Sequence, residues 1–64
     1  MVVRIITKHN FKNESTVHYV RLPDDIIKEG LDDILSNYIN CDDAINGTLE
    51  RVEEEEVGDY RIEE

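Results

Sequence analysis

The sequence predicts an α+β fold of order ββαββ, in which two β-hairpins form an antiparallel sheet packed on one amphipathic helix. Three observations predict it. Residues 2–7 and 16–22 are rich in β-branched and aromatic side chains and flank a polar stretch. Residues 24–39 repeat their apolar positions at helical spacing. The last third holds two short apolar runs separated by a Gly-Asp turn signal. At 64 residues the chain has room for a single small acidic domain spanning residues 1–64.

The first run, Val2-Val3-Arg4-Ile5-Ile6-Thr7, reads as a strand. Residues 8–15 form the tip of a hairpin, with Asn10 and Asn13 as turn formers and Phe11 folding back toward the core. Residues 16–22 are the partner strand, and Pro23 ends it because proline cannot donate to a ladder. Pro23 also suits the start of a helix. That helix spans residues 24–39, with Ile27, Leu31, Ile34, Leu35 and Tyr38 on one stripe. Asp24 and Asp25 stand where the helix dipole favours anions and where an aspartate caps. Gly30 is an unusual interior residue, costing about 1 kcal/mol against alanine. Residues 40–47 read as a connection, and residues 48–52 and 57–62 as a second hairpin turning near Gly58-Asp59. Against the hairpin, Ile45, Leu49 and Val52 also fit a helical stripe, and four consecutive glutamates favour helix.

The core expected from this reading is Val3, Ile5, Val17, Tyr19, Ile27, Leu31, Ile34, Leu35, Tyr38, Leu49, Tyr60 and Ile62. Val2, Ile6, Val20 and Leu22 are left on an exposed apolar sheet face, which points to a homodimer.

Seven Lys+Arg stand against sixteen Asp+Glu, a formal charge of -9. The imbalance is uneven. Residues 1–23 carry Arg4, Lys8, Lys12 and Arg21 against Glu14 alone, and every other acid lies beyond Pro23. A strongly anionic chain is repelled by anionic leaflets, so no membrane partner is expected. No secretory signal pattern and no long apolar run is present, and Cys41 is the only cysteine. A reducing cytoplasmic setting follows from that reading.

The richest chemistry is the carboxylate pattern. Asp25, Glu29, Asp32 and Asp33 share the polar face of the expected helix, and Glu53, Glu54, Glu55 and Glu56 form a second block. Like charges four apart cost a helix a few tenths of a kcal/mol each. A face needing only solubility would mix in lysines, and this one has Lys28 alone. Helical turns rise 5.4 Å and each DNA strand carries a charge about every 3.4 Å. A row of carboxylates is thus suited to a basic, nucleic-acid-binding protein as partner. The leading expectation is a non-enzymatic inhibitor or regulator occupying such a surface, of the anti-defence type carried by phages and mobile elements, without direct nucleic-acid contact. The alternative to partner binding is a solvated face on a small structural subunit of a larger assembly.

Val20-Arg21-Leu22-Pro23-Asp24-Asp25-Ile26-Ile27, followed by Asp42-Asp43-Ala44-Ile45 with Leu49 and Val52, resembles the ribbon-helix-helix family of DNA-binding repressors over residues 16–56. The resemblance implies a dimer whose paired strands enter the major groove, with Thr16, His18 and Arg21 toward the bases. It ranks second because a dimer of this charge approaches a polyanion and Asn46-Gly47-Thr48 departs from a helix interior.

Asp42, Asn46, Gly47, Leu49 and Glu53 also fall at the positions of a calcium-binding EF-hand loop, but Ala44 replaces a required oxygen ligand. No metal or cofactor is expected. His9, His18 and Cys41 have no spacing that joins them as a nucleophile pair, and Cys41 reads as a small buried residue. No catalytic residue is assigned.

Overall fold

The computed structural model describes residues 1–9 and 13–64. Asn10, Phe11 and Lys12 lie outside the described residues, and with them the expected placement of Phe11. The elements are β1 (Val2–His9), β2 (Ser15–Arg21), α1 (Lys28–Cys41), β3 (Ala44–Val52), α2 (Glu54–Val57) and β4 (Ile62–Glu63). They form an α+β domain with a four-stranded mixed sheet of order β3-β1-β2-β4 and one main helix. β1 pairs antiparallel with β2, placing Ile5 opposite His18 and Thr7 opposite Thr16. On its other side β1 pairs antiparallel with β3, placing Ile5 opposite Leu49 and Thr7 opposite Gly47.

β1 is paired on both edges, so its backbone groups are satisfied on both sides and its apolar run fits a strand covered on both faces. Alternation sends Val3, Ile5 and Thr7, all without exposed surface, toward α1. There Val3, Ile5 and Val20 pack with Ile34, Leu35, Tyr38 and Leu49. The opposite face carries a second cluster of Val2, Tyr19, Val52 and Val57, with Ile62 against it.

Three expectations are corrected. The first concerns the sheet. The second hairpin does not form: residues 48–52 belong to β3 beside β1, and β4 runs parallel to β2 on the far edge. The glutamate block is the cause. Glu53 is extended and the next residues coil into the one-turn α2, with Glu56 N–H bonded to the Glu53 carbonyl. Val57, 2% exposed, anchors that turn under the second face, and Gly58 at φ +63° redirects the chain toward β2.

The second concerns the helix. α1 begins at Lys28 rather than at Asp24, because Ile26 N–H bonds the Pro23 carbonyl and closes a separate turn first. Ile27 takes the cap position without a side-chain cap bond, so neither Asp24 nor Asp25 caps the helix. Cys41, its last residue, is exposed rather than buried.

The third concerns the core. Val17, Ile27 and Tyr60 are 41, 65 and 66% exposed, whereas Val2 and Val20 are buried and Ile6 and Leu22 half-buried. The chain covers both faces of its own sheet, which removes the exposed apolar face that pointed to a dimer. The ribbon-helix-helix alternative fails on the same element that breaks the hairpin: residues 44–52 are a strand and not a second helix. The calcium-loop spacing falls on that strand as well.

Candidate functional site

The two acidic groups lie on opposite faces of the sheet. α1 packs on the Val3–Ile5–Val20 face, and α2 is anchored by Val57 on the Val2–Tyr19–Val52 face. The structure therefore places the two carboxylate blocks on different surfaces.

Glu29, Asp32 and Asp33 are exposed on α1, and Asp25 is exposed in the turn before it. Among the described residues none of the four makes an ion pair. The second group is different. Glu54 accepts a hydrogen bond from Arg21, and that bond, followed by the guanidinium charge, holds the Glu54 carboxyl below its usual range. Glu56 lies 3.7 Å from the Arg4 guanidinium, which also donates to Glu50 at 2.7 Å. Arg4 sits over the Tyr19 ring, 5.8 Å from its centroid. Glu53 and Glu55 are exposed. The arginines of β1 and β2 thus neutralise part of the glutamate block from within the chain.

A third arrangement was invisible in the sequence. His18 of β2 faces α1, with Nε2 3.0 Å from Asp42 Oδ2 and Nδ1 3.1 Å from Glu63 Oε2. Thr7, fully buried on β1, donates its hydroxyl to the same Asp42 oxygen at 2.8 Å. The Tyr38 ring packs against His18 at 4.6 Å between centroids. Burial acts to raise the Asp42 carboxyl, but hydrogen bonds from Thr7 and His18 together outweigh it and hold it below the ordinary range. The Tyr38 hydroxyl is held up by burial first, then by the charge of Glu63 and a hydrogen bond to it. His9 contacts the Thr16 hydroxyl through Nε2 at 2.7 Å. Among the described residues no group of three or more His, Cys, Asp or Glu side chains is arranged to hold a metal.

Asp42, His18 and Glu63 come from the C-cap of α1, β2 and β4, separated by 24 and 45 positions. The parallel register, with Val20 opposite Glu63, brings Glu63 to His18, and the end of α1 brings Asp42. No linear spacing signals such a cluster.

The fold and sites define a small mixed-sheet α+β domain with an anionic helix face and an internally bridged histidine. Comparison with protein-family models, with curated proteins and with solved structures finds no match. No helix of the described residues is long and apolar enough to cross a membrane.

Proposed function

We propose that this chain is a non-enzymatic protein-binding module whose α1 face occupies the basic surface of a nucleic-acid-handling partner in the cytoplasm. The observation that carries the reading is the contrast between the two acidic groups. Asp25, Glu29, Asp32 and Asp33 are exposed and make no ion pair among the described residues. Glu54 and Glu56 already have arginine partners. Glu29 and Asp33 are one helical turn apart and repel each other, a cost that cations of a partner would relieve. Such a surface speeds encounter with a cationic partner and competes with phosphate for the same Lys and Arg groups. An inhibitor of a nuclease or defence protein, carried by a phage or mobile element, is the concrete form of this proposal.

The test is capture of basic proteins at low salt by the tagged chain, with elution by duplex DNA and by salt in parallel. The double variant Asp25→Lys/Asp33→Lys should lose a DNA-eluted partner, with affinity down about a hundredfold for two reversed contacts at 1–2 kcal/mol each. It should stay folded, since Asp33→Lys replaces a repelling pair by Glu29 followed by lysine at i+4, worth about 0.3–0.5 kcal/mol. Unchanged capture by the folded variant, or retention of DNA by the chain itself, refutes the proposal. Capture that is indifferent to salt would instead mark a structural subunit.

A further inference from the structure

We propose that His18 is a proton-operated latch that holds β4 on the outer edge of β2, closed when both ring nitrogens carry hydrogen and loosened when one proton leaves. This goes beyond the partner-binding reading and stands independently of it.

The geometry carries the inference. Each ring nitrogen of His18 lies within hydrogen-bond distance of a carboxylate oxygen, Asp42 on one side and Glu63 on the other. Ionised carboxylates only accept, so both contacts are hydrogen bonds when the ring is an imidazolium and only one is when it is neutral. Asp42 also accepts from Thr7, and its side chain is the less exposed of the two, 18% against 45%. The retained proton therefore belongs on Nε2, toward Asp42. The proton on Nδ1 goes to water, and the bare lone pair is left facing the Glu63 carboxylate. Attraction becomes repulsion at the strand that has least to hold it.

β4 is that strand. It is two residues long and pairs with β2 only through Tyr19 opposite Ile62 and Val20 opposite Glu63. Among the described residues its other ties are Ile62 on the Val2–Tyr19 cluster and Arg21 Nε at 3.6 Å from Glu64. The charged and titratable groups around His18 are Asp42, Tyr38 and Cys41 at the end of α1, Glu63 on β4, His9 on β1 near Asp42, and Tyr19, Tyr60, Arg61 and Glu64 lining the same cleft. His9 is the other imidazole, and its ring nitrogen is turned to Thr16 rather than to β4. Loosening uncovers the backbone edge of β2 and one side of Tyr19.

Hydrogen exchange of residues 58–64, corrected for intrinsic rate and compared with residues 2–9, reads the latch across the imidazole range, about pH 5.5 to 8. Protection of residues 58–64 should fall about tenfold as pH rises, the loss of one charge-assisted bond at a partly exposed site. Protection of residues 2–9 should stay level. His18→Gln and Glu63→Gln should each abolish the fall, and His9→Gln should preserve it. Glu63→Gln keeps the test decisive where His18→Gln does not fold. A flat profile in the natural sequence, or a fall that survives Glu63→Gln, overturns the latch.

Discussion

Gly47 lies on β3 directly beneath Leu35 and Ile39 of α1, so replacing it by alanine measures how firmly the helix is seated. A Cβ at position 47 would stand 3.0 Å from the Ile6 carbonyl oxygen, 3.2 Å from Ile39 Cγ1 and 3.3 Å from Leu35 Cδ1. The two side chains can yield by a few tenths of an ångström. The carbonyl cannot, because it belongs to β1, the central strand paired on both edges. Overpacking of this kind costs about 1–3 kcal/mol. Alanine returns about 0.5–1 kcal/mol by restricting the unfolded chain. Because the unyielding neighbour is backbone, the upper part of that cost, about 2–3 kcal/mol, applies, and with about 1 kcal/mol returned the net expectation is a loss of about 1–2 kcal/mol. A core this small supplies only about 3–5 kcal/mol in total, so the loss is a large fraction of it. With a urea slope near the low end of the small-protein range, about 1 kcal/mol/M, the midpoint should drop by about 1–2 M. Urea titration followed by far-UV circular dichroism gives the number directly. An unchanged or higher midpoint for Gly47→Ala would refute the close seating of α1 on β3.

Gly58→Ala has nothing within 4 Å of its Cβ, so its cost of about 1–2 kcal/mol comes from φ +63° alone; D-alanine at that position, made by synthesis, should restore the urea midpoint. Val57→Ala removes the buried anchor of α2 and should cost about 1–2 kcal/mol in the same assay, with faster exchange in residues 53–60. Asp42→Asn tests the acid limb. Because the Asp42 carboxyl is held below its ordinary range, the stability it adds is present above about pH 4 and is lost as pH falls through its folded-state value. Urea midpoints measured downward from about pH 6 should therefore fall less steeply in Asp42→Asn than in the natural sequence.

Local pattern made β1, β2 and the middle of α1 legible, since β-branched runs and helical spacing act within a few residues. What escaped was decided at longer range. Asn46-Gly47 reads as a turn, yet it lies inside β3, where glycine is demanded by Leu35 and Ile39 from the helix above. The sequence reading put Val17 and Tyr19 inward and Val20 outward on β2, but residues of both faces are buried: Val20 goes under α1, and Tyr19 goes under Val57 and Ile62. The covering of the second face depends on Glu53 turning the chain and Val57 anchoring it, a tertiary choice that outweighs the hairpin pattern of residues 48–62. At the sites, exposure of Glu29, Asp32 and Asp33 follows from the polar face of α1 and was readable, whereas Asp25 is exposed in the turn before it. The pairing of Arg21 with Glu54, 33 positions apart, was not. The carboxylate partners of His18 were not readable, because Glu63 reaches it through a parallel register and Asp42 through the end of α1.

Salt and pH separate the two proposals, and the reason lies in which groups each uses. The α1 carboxylates are exposed, so attraction of a cationic partner to them should weaken steeply with ionic strength. The His18 contacts are short, direct and half-shielded between α1, β2 and β4, so salt screens them much less, while removal of one proton changes them outright. A partner whose affinity falls with salt and not with pH engages the helix face alone. One whose affinity also rises as pH climbs from about 6 to 8 requires β4 to loosen, because only then does the edge of β2 become available for pairing. Measuring affinity on both axes for Asp33→Lys and for Glu63→Gln assigns each dependence to its residue: the first variant should flatten the salt response and the second the pH response.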